Sequence, residues 1–237
     1  MRKQQDIWTQ MHSGLGSTLP GHEKAEPSSA VSWFTDWLAS RDALPTPVKP
    51  KKVVDLGCGQ GRNAVYLAKL GFNVTAVDYV DKALDATRAL AVKENVHRRV
   101  RLFPGELDKP WGFEDGFFDA AVDNYSSIDI ETLEGRTVFR DELFRTLKPG
   151  GVAFSAAVSL DDEYEKEQLA ARPGTEPGSC FWPNGKFQKN YDENGIRTFF
   201  EKAGFRVLEL KTVRSPAQKM GRSFTATNLW MVAQKPS

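Results

Sequence analysis

Between Val53 and Asn63 an acidic residue and three glycines fall at alternate places, as Asp55-Leu56-Gly57-Cys58-Gly59-Gln60-Gly61. Glycines at this spacing let the backbone turn closely around a ligand where a strand opens into a helix. A dinucleotide-binding turn wants its third glycine at position 62, which is Arg62, and Asp55 repels a pyrophosphate. Asp55 suits a cationic group instead. Asp78 lies 21 positions after Gly57, where a carboxylate can accept hydrogen bonds from both hydroxyls of a ribose. Together these residues describe recognition of a ligand that carries a ribose and a positive charge.

Such a turn needs a strand before it and a helix after it. Val53 to Leu56 reads as the strand, Asn63 to Leu70 as the helix and Val74 to Asp78 as the next strand, one βαβ unit. Asp81 is expected to cap a helix running to about Asn95. Val100 to Phe103, Phe117 to Val122 and Val152 to Val158 continue the strands. A helical face of Phe139, Leu143 and Leu147 is expected to stop at Lys148-Pro149-Gly150-Gly151. Asp192 caps a helix ending at Gly204, and Phe205 to Val213 and Leu229 to Ala233 close the series. Alternating strands and helices imply a parallel sheet with helices on both faces.

Ahead of this body, Ser28 and Ser29 begin a helix to about Ser40 with Val31, Phe34, Trp37 and Leu38 on one stripe. Residues before Pro27 read as irregular. Leu44 to Pro50, with three prolines in six residues, is a connector. We read residues 1–237 as one domain, with 1–48 as an arm or lid and 159–190 as an irregular insertion over the site.

Composition narrows the classes. The 237 residues are 40% hydrophobic and 27% charged, with 32 Lys plus Arg against 31 Asp plus Glu, which argues against a polyanion-coating protein. Two cysteines, Cys58 and Cys180, exclude a disulfide framework or a four-cysteine zinc site, and no metal is expected. Neither a membrane span nor a signal peptide is visible, so we expect a cytoplasmic protein with no membrane partner.

The pattern Asp55-x-Gly57-x-Gly59-x-Gly61 with Asp78 resembles motif I and the next acidic position of the class I S-adenosylmethionine-dependent methyltransferases. Gly116-Phe117-Phe118-Asp119 entering strand four and Leu147-Lys148-Pro149-Gly150-Gly151 before strand five resemble the same family. Motif I, through Asn63-Ala64-Val65-Tyr66-Leu67-Ala68, is similar in particular to bacterial small-molecule methyltransferases of the tellurite-resistance type. The resemblance implies a Rossmann-like, doubly wound seven-stranded α/β sheet, mostly parallel with an antiparallel last strand. It also implies S-adenosyl-L-methionine as cofactor, and a cofactor set of Asp55, Gly57, Cys58, Gly59, Gly61, Asn63, Asp78, Tyr79, Glu106, Leu107 and Asp123. Glu106 takes the place, after strand three, of a family acid near the adenine amino group. Cys58 reads as a small packed residue of the turn.

In this family the methyl group points toward the end of strand four, here Asp123-Asn124-Tyr125-Ser126-Ser127-Ile128-Asp129. Asp123 or Asp129 is a candidate proton acceptor, Tyr125 a candidate wall or orienting group, and His12 a secondary base. A turn or helix cap is the bland alternative for either aspartate. The two prolines typical of exocyclic base-amine methylation are missing here, and Cys180 has no partner for carbon-5 chemistry. Trp8, Met11, Trp33 and Trp37 from the arm, and Phe181, Trp182, Phe187 and Tyr191 from the insertion, are candidate walls, although aromatic stripes are more often core. His22 and His97 carry no partner signal.

The last third is basic, with Lys186, Lys189, Arg197, Lys202, Arg206, Lys211, Arg214, Lys219, Arg222 and Lys235. It reads as a solvated face or a landing site for an anionic substrate or RNA. The first reading is methyl transfer to a small-molecule acceptor. An RNA or protein methyltransferase and a non-catalytic cofactor-binding regulator or partner subunit are the alternatives. Oligomeric state is left open.

Overall fold

Residues that alternate along each strand divide between two apolar layers, because successive side chains of a strand point to opposite faces. The computed structural model describes residues 3–12, 26–219 and 221–237, so His22 and the middle of the arm lie outside the described residues. In chain order the elements begin with α1 (Lys3–His12), α2 (Ser29–Ala39), β1 (Lys52–Leu56), α3 (Arg62–Lys69), β2 (Asn73–Asp78), α4 (Asp81–Lys93) and β3 (Val100–Pro104). They continue with β4 (Phe118–Asn124), α5 (Leu133–Thr146), β5 (Leu147–Val158), α6 (Glu163–Ala171), β6 (Ser179–Phe181), β7 (Phe187–Lys189), α7 (Glu193–Glu201), β8 (Arg206–Lys219) and β9 (Arg222–Gln234).

Val53, Val74, Ala120, Val122 and Phe154 face α2, α3 and α4 through Phe34, Leu67 and Leu84. Their neighbours Val54, Leu56, Ala121 and Ala153 face α5 and α7 through Phe139, Leu143, Ile196 and Phe200. Burial on both faces requires near-continuous apolar runs, which is how β1, β4 and β5 read. The seven strands are ordered β3-β2-β1-β4-β5-β9-β8, and β9 runs antiparallel to both β5 and β8. This is the doubly wound, mostly parallel sheet expected. Its order reverses between β1 and β4, so a crevice opens at the carboxyl ends of those strands.

Several local readings are corrected. Residues before Pro27 include a helix, α1, whose packing comes from distant segments and leaves little local trace. Asp81 does not cap α4, because the N-cap position is Val80 and Asp81 is the first helical residue. Helix α5 ends at Thr146, and Lys148-Pro149-Gly150-Gly151 lies inside β5. Gly150 has φ of +76° and a Cβ on Gly151 would sit 2.8 Å from the Lys148 carbonyl, so the two glycines let β5 bend into register with β4.

The stretch 159–190 is likewise not irregular. Asp162 caps α6 by accepting from Glu165 N at 3.0 Å, and β6 and β7 form a hairpin. The charged run of Glu163 to Glu167 hides α6 from a periodicity reading because Glu165 turns inward, to accept from the Trp182 indole at 3.2 Å. Asp162 Oδ2 also accepts from Thr227 N at 2.8 Å, and Arg136 of α5 pairs with Glu176. These bonds tie the insertion to the sheet and to α5.

Candidate active site

The glycine turn is built on three backbone requirements. Gly57, Gly59 and Gly61 have φ of +68°, +55° and +85°. A Cβ on Gly57 would lie 2.3 Å from Ser126 Oγ, and one on Gly61 2.6 Å from Thr87, so both positions need glycine for conformation and for space. Cys58 N donates to the Val77 carbonyl at 2.9 Å and Thr87 Oγ1 to the Gly59 carbonyl at 2.9 Å, which pins the turn between β2 and α4.

Asp78 fastens the turn from the other side. Its Oδ2 accepts from Gly59 N and its Oδ1 from Val80 N, both at 2.9 Å. An ionised carboxylate has about four lone-pair sites. With Tyr79 N also turned toward it, Asp78 keeps capacity for a ligand hydroxyl. Burial raises its pKa, and the two N–H groups and His12 oppose that rise.

Asp55 is 1% exposed at the end of β1, and its Oδ2 has no hydrogen-bond partner among the described residues. Burial, with the charge of Asp78, pushes its pKa up to about 7. A buried acid with an unused oxygen asks for a donor, and a cationic donor answers the desolvation as well. Arg62, at the first position of α3, supplies part of that charge from beside Asp55 and Tyr125.

A cavity of about 980 Å3 opens in front of this turn. Gly57, Gly59, Asp78, Tyr79, Glu106 and Leu107 line one part of it, and Tyr125, Asp129, Lys186, Trp8 and His12 line another. Burial raises the Tyr79 phenol well beyond its usual range, with the Asp78 charge adding to the effect. Leu107, 8% exposed, stands beside Gly57 and accepts from the Trp111 indole at 3.3 Å through its carbonyl. His12 reaches the cavity from α1, where burial lowers its imidazole pKa against the pull of Asp78.

Other expected site residues do not reach the cavity. Asp123 accepts from Ser126 N, Ser127 N, Ser127 Oγ and Ser155 Oγ at 2.5–3.0 Å. Fully buried and with four donors on it, Asp123 anchors the loop after β4. Asn63 accepts from Ser28 N at 3.0 Å and so holds the start of α2, while the Cys58 thiol packs 3.7 Å from Thr87 Oγ1. Trp33 sits among Phe154 and Trp230, and Trp37 donates to Glu209 at 2.8 Å on the far side of the sheet. Phe181, Phe187 and Tyr191 pack into the insertion and α7.

Tyr125 does line the cavity, with its backbone at φ of +68° and its hydroxyl 3.4 Å from the Trp230 indole nitrogen, which donates to it. Burial pushes its phenol up to about 12, so it stays protonated and can donate. Arg62, Ser126 and Lys186 are cavity residues that motif reasoning passed over. Arg62 stood only for an absent glycine, and Lys186 lay in a segment without period.

A doubly wound sheet whose order reverses beside a glycine turn is a Rossmann-like α/β fold of the kind seen in solved S-adenosylmethionine-dependent methyltransferases. Residues 53–151 match the family described as "Methyltransferase domain". It is 31% identical over 122 residues to sterol 24-C-methyltransferase ERG6A of Gibberella zeae, covering 51% of this chain and 31% of that protein. With the probable S-adenosyl-L-methionine-dependent methyltransferase TehB of Haemophilus influenzae it shares 41% over 56 residues, covering 24% and 20%. Its fold matches Burkholderia thailandensis 1,6-didemethyltoxoflavin-N1-methyltransferase at a TM-score of 0.69 and 19% identity, over 99% of this chain and 87% of that one. That solved structure holds 1,6-didemethyltoxoflavin and S-adenosylhomocysteine. The chain spans between a fifth and a third of the length of these curated relatives. No described helix is long and apolar enough to cross a membrane.

Proposed function

We propose that this protein transfers a methyl group from S-adenosylmethionine to a small-molecule acceptor. The observation that carries this reading is the unpartnered, buried Asp55 Oδ2 beside the glycine turn and Asp78, a donor-seeking acid next to a ribose-type acid. Asp55 is suited to the amino group of the cofactor, Asp78 to its ribose and Glu106 to its base. When bound, the cofactor supplies an electrophilic methyl on a positively charged sulfur. The chain's own part is to align an acceptor and exclude water, which alone supplies a large share of such a rate enhancement. Trp8 and Tyr125 wall the space, and the Tyr125 hydroxyl can orient a polar acceptor.

A small acceptor is supported by charge as well as by enclosure. Asp78, Glu106, Asp108, Asp129, Glu131 and Glu134 line the cavity against Arg62, Lys109 and Lys186, an arrangement that repels phosphate. Much of the basic last third is committed elsewhere. Arg222 pairs with Glu167, Arg206 donates to Gln234, and Lys235 caps the carbonyls of Arg145 and Leu147. Small-molecule substrates in the names of the sterol and toxoflavin relatives agree with this reading.

Calorimetry with S-adenosylhomocysteine tests the cofactor assignment, and transfer of labelled methyl to metabolite pools or to cellular RNA tests the acceptor class. Micromolar binding with label in small molecules is expected. Tight NAD binding without response to S-adenosylhomocysteine overturns the assignment, and salt-sensitive RNA binding with label in RNA overturns the acceptor class.

A further inference from the structure

On the methyl-transfer reading, one pair of side chains in the cavity is left without a task. Lys186 and Asp129 both line it, with Lys186 Nζ 2.9 Å from Asp129 Oδ1 and side-chain exposures of 6% and 10%. Asp129 ends a short 3-10 turn after β4, and Lys186 enters β7 from the insertion hairpin, so the pair joins the strand-four end to the insertion. Lys186 also stands 4.1 Å from the centre of the Trp182 ring and 5.4 Å from that of Trp8, and donates to Gln188 Oε1 at 3.2 Å.

Burying an ion pair is weak evidence for stability, since apolar replacements of the same volume are often neutral or better. A pair kept on a cavity wall therefore points to the ligand. Asp129 Oδ1 is buried, and the Lys186 ammonium at 2.9 Å is the donor that faces it. A carboxylate oxygen has a second lone pair, so beside the ammonium it can still accept from an N–H or O–H group. The ammonium cancels the carboxylate charge, so the combined wall is neutral.

We propose that Asp129 is the catalytic proton acceptor, that Lys186 is its positioning residue, and that the acceptor is a neutral small molecule with a weakly acidic N–H or O–H group. In the step, the X–H bond of the acceptor breaks, where X is N or O, and its proton passes to Asp129 Oδ1. The electron pair left on X forms the new bond to the methyl carbon, as the carbon–sulfur pair leaves with sulfur and the sulfonium becomes a thioether. The groups facing Asp129 are Lys186 of the hairpin, Glu165 of α6, Asp123 of β4 and Tyr79 after β2. Burial pushes Asp129 up to about 6, with Glu165 and Asp123 adding to that and Lys186 opposing it. Removing the ammonium must raise it further.

The test offers S-[methyl-3H]adenosylmethionine with catechol, 2-naphthol, uracil and theophylline as neutral probes, and with benzoate, AMP and tRNA as anionic ones. Label is expected in at least one neutral probe. On that probe Asp129→Asn should lower kcat at least 100-fold with S-adenosylhomocysteine affinity kept within twofold. Lys186→Gln should move the acidic limb of the kcat profile to higher pH by about one unit, and Lys186→Arg should move it back. Should a single variant fail to fold, the double variant Asp129→Asn/Lys186→Met removes both charges together and should fold, bind S-adenosylhomocysteine and stay inactive. Label only in anionic probes or in none, a full kcat for Asp129→Asn or the double variant, or an unmoved limb overturns the proposal. Absence of S-adenosylhomocysteine binding by the wild type sinks the methyl-transfer reading itself.

Discussion

The proposed cofactor side of the cavity and the proposed acceptor side are held together by different means. Between Asp55 and Glu106 the work is done by the ends of three neighbouring strands, with backbone N–H groups fixed on Asp78 and glycines pressed against Thr87 and Ser126. On the other side, α1, the loop after β4 and the β6–β7 hairpin are joined by bonds that each use at least one side chain. Gln4 donates to the Gly185 carbonyl and accepts from Phe187 N, both at 3.1 Å, and Lys186 spans to Asp129. A site made from one βαβ unit tolerates almost no substitution, whereas a side-chain assembly can be retuned piece by piece. The first half can keep one ligand while the second changes acceptor.

The largest effect that separates the halves is expected from Gly57→Val. A side chain there meets Ser126 and forces a β-branched residue to φ of +68°, a conformation that costs about 1–3 kcal/mol even before the clash. S-adenosylhomocysteine binding should fall more than 100-fold by calorimetry. Binding within tenfold of wild type would break the comparison. Asp78→Asn comes next. It weakens charge-assisted bonds of about 1.5–3 kcal/mol each, so a 10- to 100-fold loss of affinity is expected.

A pH effect of smaller size follows from Asp55. Its folded pKa, raised to about 7 against a usual value near 4, means that the ionised form is disfavoured in the free protein. Stability of the free protein thus falls as pH rises between those values, and a cationic ligand reverses this by favouring the carboxylate. Affinity for S-adenosylhomocysteine should rise by up to about tenfold per pH unit below 7, with release of a proton at pH 6. Calorimetry in two buffers of different ionisation enthalpy measures that proton, and a flat profile in Asp55→Asn confirms its origin.

Gln4→Ala should be the mildest. Losing two bonds of about 0.5–1.5 kcal/mol each loosens α1 from the hairpin. Hydrogen exchange in α1 should quicken about tenfold while S-adenosylhomocysteine affinity moves by less than threefold. A large loss of affinity instead would show that the two halves are not separable.

The same division explains what could be read without coordinates. Asp55, the three glycines and Asp78 speak through short spacing, and the strand series through alternation, because their determinants are local. Asp129 is visible as a polar residue after strand four, but its partner Lys186 belongs to a hairpin whose alignment depends on α1 and α6. The surroundings of Asp123 were hidden for a related reason, since its four donors include Ser155 on the neighbouring strand β5. Trp33 and Trp37 illustrate the opposite limit, as helical spacing shows that a stripe is buried without showing against which face. The terminator reading of Lys148-Pro149-Gly150-Gly151 failed because positive φ serves a bent strand as well as a helix end.

Tyr125 carries one consequence further. A tyrosine at φ of +68° is held in a conformation that glycine or asparagine adopts with less strain, at a cost of about 1–3 kcal/mol to the fold. Selection for heat resistance alone would exchange it, and the exchanged protein would melt later but lose the phenol from the cavity. On the proposed role of its phenol, position 125 is a place where durability and activity compete, and thermostable descendants that still turn over must find their added stability elsewhere in the chain.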